Sequence, residues 1–113
     1  MARKASSAAL TANQVTANLI SGIQEIEFIR RPALVRLSGS QSLTTAGVNF
    51  RLTYGGRVLF NAAVGGQNRS PLFPDDVLGE WPVPAGAQGE FIISETLGGV
   101  PTYFYAIDVL YVR

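Results

Sequence analysis

The chain has 113 residues and a formal net charge of +1, with nine Lys and Arg against eight Asp and Glu. This length suits one domain, and so balanced a charge gives the domain no electrostatic drive toward nucleic acid or an acidic membrane. The sequence contains neither His nor Cys. Because disulfides, thiolate metal sites and most nucleophile and base pairs are excluded, we expect no enzyme and no cofactor.

Residues 1–22 are predicted to form an N-terminal arm ahead of a domain that spans residues 23–113. The arm begins with an Ala- and Ser-rich stretch, which has too little apolar bulk to repay its ordering entropy unless a partner holds it. Thr11 and Gln14 fit a capping box. Apolar residues at spacings of three and four predict a helix that forms on docking, at Ala8, Ala12, Val15, Leu19 and Ile23.

The arm is mildly basic, since no acidic residue precedes Glu25. It lacks the continuous apolar core of a signal peptide, and no later stretch has the length of apolar sequence that a membrane helix requires. We therefore expect a soluble protein that is made in the cytoplasm and has no membrane partner.

Strand-like runs follow the arm, most of them alternating between apolar and polar residues. They cover residues 25–28, 35–37, 48–54, 57–60, 90–97 and 102–112. Gly55 and Gly56 tolerate the positive φ angles of a type I′ turn and predict a hairpin, and Gly98 and Gly99 predict a second one. Residues 65–89 contain four prolines and predict a long loop or a loosely paired edge.

About six strands with no alternating helices predict an all-β fold. We expect an antiparallel β-sandwich or a jelly-roll-like barrel, with an extended or partly helical N-terminal arm. The last run is apolar on both faces except at Asp108. Two interpretations stay open: either Tyr103, Tyr105 and Tyr111 reach water from the surface of one copy, or they face another subunit.

Few residues offer chemistry. Asp75, Asp76 and Glu80 lack the spacing of a calcium loop, so a capping role is favoured over a metal site or catalysis. Trp81 is a possible ligand contact that would stack on a sugar or a base, although an anchor for the proline-rich segment is the favoured role. Nothing in the spacing requires the arginines to gather, and we expect no nucleic-acid partner. These arginines are Arg30, Arg31, Arg36, Arg51, Arg57 and Arg69.

An arm with a basic tip, followed by a compact β domain with apolar surface to spare, resembles small virion proteins. These are the β-sandwich or jelly-roll coat, cement and minor capsid proteins, whose arms extend along a neighbouring subunit. The resemblance is one of architecture and composition over the whole chain. It implies a structural virion protein, made in the host cytoplasm, whose partners are other copies of itself in a homo-oligomer and other capsid proteins.

Under this hypothesis the assembly interface has two parts. The arm would bury apolar side chains on a neighbour, and the last strand would offer a rigid tyrosine face. The predicted interface residues are Val15, Leu19, Ile20, Ile23, Tyr103, Tyr105 and Tyr111. The alternative is a small ligand-binding β-sandwich, such as a carbohydrate-binding module that uses Trp81 with Asp75, Asp76 and Asn68.

Overall fold

A computed structural model describes residues 2–42, 47–64, 76–96, 98–99 and 101–111. The strands are β1 (Ala2–Ala9), β2 (Ala33–Gln41), β3 (Val48–Tyr54), β4 (Arg57–Ala63), β5 (Val77–Val83), β6 (Gly89–Glu95) and β7 (Thr102–Tyr111), and one helical turn, α1, spans Gln24–Glu27. The seven strands form two antiparallel sheets, ordered β1-β7-β2-β5 and β4-β3-β6. The predicted all-β sandwich is confirmed. None of the described helical residues makes a helix of membrane-spanning length.

The core lies between the two sheets because each central strand alternates. In β3, Phe50 and Leu52 are fully buried, whereas Arg51 between them is exposed. The ring of Phe50 meets that of Phe91 edge-on at 5.3 Å between centroids, a favoured aromatic geometry. Gly39 of β2 makes room for this cluster, since a Cβ there would stand 2.2 Å from the Phe50 ring.

Glycine turns connect strands in two different ways. The hairpin predicted between β3 and β4 is confirmed, because Gly55 and Gly56 have φ angles of 61° and 76°, as a type I′ turn requires. The hairpin predicted at Gly98 and Gly99 is wrong. β6 and β7 belong to different sheets, so their connection crosses the sandwich instead of reversing within one sheet.

Residues 10–23, here called the strap, lie along the edge of β6. The Thr16 N–H donates to the Ile93 carbonyl at 2.9 Å. In return, the Ile93 N–H donates to the Thr16 hydroxyl and the Phe91 N–H donates to the Asn18 side-chain carbonyl, both at 3.0 Å. Side-chain oxygens therefore accept hydrogen bonds that a regular strand would accept through its backbone.

With the strap counted as the second strand, the chain pairs from its ends inward. The first strand pairs with the last (β1 with β7), and the strap pairs with β6. Next inward, β2 pairs with β5 and β3 pairs with β4. Eight antiparallel segments nested in this order make a jelly roll. The fold is thus the jelly-roll form of the predicted sandwich.

The segment predicted as a separate arm packs onto its own sandwich. Its first part, β1, pairs with β7 along its whole length, and the strap continues onto the second sheet. The division at residue 22 does not match this arrangement. The helix predicted from Ala8 to Ile23 is absent. Asn13 takes a left-handed φ of 58°, which ends the single turn that Thr11 and Gln14 begin.

Residues 25–28, predicted as a strand, form the α1 turn and the residue after it. The alternation that suggested a strand has another cause. Ile26 is buried in the core, and Glu27 is buried because its carboxylate accepts the Gly22 N–H at 3.0 Å. Phe28 stays 44% exposed. A buried, hydrogen-bonded carboxylate cannot be distinguished from an exposed one by a hydrophobic pattern.

Candidate assembly surface

Tyr103 and Tyr105 lie inside the sandwich, with 6% and 2% of their surface exposed. Their rings stack with centroids 5.9 Å apart, and the Tyr105 ring lies 5.0 Å from that of Phe91. Burial raises the pKa of Tyr105 to about 12, with a smaller contribution from Tyr103. Burial also raises the pKa of Tyr103. The prediction that these two residues face another subunit is wrong, because this face of β7 fills the core of one copy.

Tyr111 is half-buried at the end of β7. Its hydroxyl donates to the Glu25 carbonyl, and the guanidinium carbon of Arg31 lies 5.2 Å from its ring centroid, a cation–π distance. Burial raises the pKa of Tyr111 and Glu25 adds to this, whereas Arg30 and Arg31 oppose it. Contacts within the chain therefore hold this side chain, which departs from the predicted role at an interface.

The four predicted interface residues of the strap differ from one another in burial. Ile20 is completely buried, and Leu19 and Ile23 pack against the core while remaining partly exposed. Their apolar surface is used within the chain, so the expectation that they cover a neighbour is wrong for Ile20. Val15 alone of the four is mostly exposed, at 65%, and it forms a β-bridge with Ser94.

Trp81 faces the interior from β5, since it is the register partner of the buried Val35. Its ring lies over Gly79, where a Cβ would stand only 2.4 Å away, and 6.2 Å from the ring of Phe60 in the other sheet. The side chain thus joins β5 to β4 across the sandwich. It does not present an open platform for stacking, as the ligand-binding alternative requires.

Two of the three carboxylates singled out in the sequence, Asp76 and Glu80, are described, and their surroundings differ. Asp76 is buried, and its carbonyl accepts the Gly39 N–H at 3.1 Å. Glu80 of β5 points away from the core, and its carboxylate accepts the Arg36 Nε–H at 2.7 Å. Asp75 and Asn68 lie outside the described residues. Within the described part of the chain, no three carboxylates gather into a metal site.

The described arginines are not gathered into one patch either. Arg36 lies on the outer face of the four-stranded sheet, and Arg51 on the outer face of the three-stranded sheet. Arg30 and Arg31 lie near Tyr111 and line an open depression with it. Arg69 lies outside the described residues.

A row of alternating charge crosses the outer face of the four-stranded sheet. Arg3, Asp108, Arg36 and Glu80 are register partners from β1 to β5. Arg3 Nη1 donates to both carboxylate oxygens of the buried Asp108, at 3.0 and 3.1 Å. Such cross-strand pairs of opposite charge stabilise a sheet. Sequence analysis missed the row because its members come from four distant segments, and only the strand order brings them together.

Beyond this row, the outer edge of β1 is open with respect to the described part of the chain. No described residue pairs with that edge, and the register with β7 contains no bulge. Residues 5–9 are Ala and Ser only, and all five are exposed. Unpaired edges normally carry charge, proline or a bulge, because an edge without them pairs with other chains.

The other edges carry such protection. β5 has Glu80, Pro82 and a register shift against Leu37 and Ser38. β4 has Arg57 and a register shift in its pairing with β3. The strap covers β6. Among the described strands, β1 therefore offers the longest stretch of edge without a charge, a proline or a bulge.

No protein-family model matches this chain, and no curated protein is significantly similar to it in sequence. Among solved structures, the carbohydrate-binding module CBM36, in complex with calcium and xylotriose, superposes with a TM-score of 0.45. The superposition covers 94% of this chain and 87% of that chain, at 16% sequence identity. A likeness this distant transfers no ligand to the present chain.

Proposed function

We propose that the chain is a structural subunit that assembles by protein–protein contacts, as a coat, cement or minor capsid component of a virion. Its partners are then other copies of itself and other capsid proteins. The jelly roll occurs in both capsid subunits and lectins, so the fold alone does not decide between assembly and ligand binding. The open edge of β1 carries the proposal.

This edge suits a second backbone for two reasons. Its exposed side chains between Ala5 and Ala9 are the smallest that a strand can carry, so nothing bulky keeps another strand away. Its outward N–H and C=O groups are strong hydrogen-bonding groups that gain partners when a strand is added. The pairing of Arg3 with Asp108 holds β1 in place on the sheet. A second strand can therefore pair with the edge without a rearrangement of the folded chain.

The ligand-binding alternative has weaker support. Its aromatic residue, Trp81, is half-buried between β5 and β4 and packs on Phe60. A sugar ring needs an open aromatic face to stack on, and binding here would first have to separate these two rings.

The test is the mass of the purified protein by analytical ultracentrifugation, from micromolar to millimolar concentration. We expect the mean mass to rise with concentration. The Ala5→Lys variant, which places a charge on the open edge, is expected to stay closer to monomeric. Ala85→Lys is the matched control, because Ala85 is exposed in the turn after β5. A wild-type protein that remains strictly monomeric over the whole range contradicts the proposal.

A further inference from the structure

The backbone groups of β1 divide cleanly between β7 and the open edge. The Leu10 N–H donates to the Pro101 carbonyl at 2.7 Å, which continues the register of β1 with β7. Along a strand, successive residues direct their N–H and C=O groups to opposite sides. The even-numbered residues of β1 therefore bond to β7. The odd-numbered ones, Arg3, Ala5, Ser7 and Ala9, direct their groups away from the sheet.

Charge decides the direction in which a second strand would run. Arg3 and Lys4 stand at one end of β1, and no acidic residue lies in the strand. A parallel copy would place these cations beside their equivalents, which is destabilising. An antiparallel copy separates them by the length of the strand and sets them opposite alanines.

The alternation of backbone groups then limits the register. Hydrogen-bonded pairs must join odd-numbered residues of both copies, because only these direct their groups outward. One register uses all four outward-directed residues of each β1 strand. It places Arg3 opposite Ala9 of the second copy, and Ala5 opposite Ser7 of the second copy. Its two-fold axis passes between Ser6 and its equivalent, which face each other as a non-hydrogen-bonded pair.

We infer that the open edge of β1 binds β1 of a second copy of this chain, antiparallel and centred on Ser6. This inference rests on the proposed function and identifies the contact between two copies. The two four-stranded sheets then join into one of eight strands about a two-fold axis, the commonest symmetry of protein oligomers. A single pair of short strands with small side chains buries less than the roughly 1,200 Å² of a typical stable complex. The contact is therefore weak alone, and because it closes with two copies, a larger assembly needs a second contact that acts together with it.

A disulfide trap tests the register directly, because the chain contains no cysteine of its own. Facing residues of a non-hydrogen-bonded pair have Cα atoms about 4.5 Å apart, within the roughly 4.4–6.8 Å range of disulfides. We expect Ser6→Cys to form a covalent dimer under mild oxidation about tenfold faster than Ala85→Cys, which reports random collision. Ala5→Cys and Ser7→Cys, whose cysteines do not face their equivalents, are expected to cross-link at the rate of Ala85→Cys.

Each outcome decides the inference. Fast cross-linking at position 6 alone supports it, provided that reduced Ser6→Cys melts at the wild-type temperature. Fast cross-linking at position 5 or 7 alone overturns the register. Equal rates at all four positions overturn the edge contact. In that case the mass of the wild-type protein separates two failures: a protein that still assembles uses another surface, whereas a strict monomer removes the proposed function as well.

Discussion

The two edges of the four-stranded sheet are built differently. At β5, Pro82 removes a donor, Glu80 is paired with Arg36, and Trp81 closes the side of the sandwich against Phe60. At β1 the chain places only Ala and Ser from residue 5 onward. Side chains of β5 therefore protect one edge of this sheet, whereas the edge at β1 leaves its backbone groups accessible to another strand. This difference is the basis for proposing that copies meet at β1.

A pair of proline substitutions in β1 distinguishes its inward backbone groups from its outward ones. The N–H of Ala8 is directed toward β7, so Ala8→Pro removes a hydrogen bond of the sheet and leaves its acceptor unsatisfied, which is expected to cost up to about 3 kcal/mol of unfolding free energy. The N–H of Ser7 is directed outward, so Ser7→Pro should cost much less while weakening assembly. Urea denaturation measures both. Equal losses of stability contradict the assignment of backbone groups along β1.

Trp81→Ala tests how the edge at β5 is stabilised. The half-buried ring packs between Gly79 and Phe60, and a partly exposed tryptophan should cost about 2 kcal/mol when truncated, less than a fully buried one. Trp81→Phe, which keeps an aromatic ring beside Phe60, is the control and should cost less. Assembly is expected to be unchanged in both variants. Loss of assembly in Trp81→Phe, with the fold intact, would place the contact between copies at β5.

Arg3→Met tests what holds the open edge in place. The variant removes the hydrogen bonds to Asp108, and because Arg3 is half-exposed we expect a loss of only about 1 kcal/mol. Lys4→Met loses the same charge without this ion pair and is the matched control. Hydrogen exchange of the Ser6 and Ala8 amides should quicken in Arg3→Met alone. Equal exchange in both variants would show that the ion pair does not hold β1.

Alkaline unfolding tests whether the tyrosines lie inside one copy. The pKa of Tyr105 rises from 10.0 to about 12 on folding. As the pH rises from 10 to 12, the unfolded chain loses a proton that the folded chain retains, so the unfolding free energy falls. Tyr105→Phe should make this fall shallower. A fall that is equally steep in Tyr105→Phe would instead indicate that Tyr105 is not buried in the folded copy.

The sequence was sufficient for features that depend on neighbouring residues. Alternation in β3 predicts its buried face, and Gly55 with Gly56 predicts the type I′ turn. The capping box predicted at Thr11 and Gln14 forms only in part: the Thr11 N–H donates to the Gln14 side chain at 2.8 Å, whereas the Gln14 N–H donates to the Thr11 backbone carbonyl. It stops after one turn because the following residues bond to β6.

Features that depend on distant pairing could not be predicted in this way. The apolar face of β7 is the same whether it meets the opposing sheet or another subunit, so alternation alone does not decide where Tyr103 and Tyr105 lie. The Ala- and Ser-rich β1 has too little apolar bulk to be recognised as a strand. Its partner strand is β7, in which Asp108, the ion-pair partner of Arg3, lies 105 residues along the chain.

Amide hydrogen exchange along β1, measured residue by residue at low and high protein concentration, shows whether copies meet at the open edge. We predict that the Lys4, Ser6 and Ala8 amides are protected at both concentrations. The outward Ala5 and Ser7 amides should exchange freely when the protein is dilute and become protected as it assembles. If the outward amides still exchange freely in the assembled protein, copies meet elsewhere and the account of this edge is wrong.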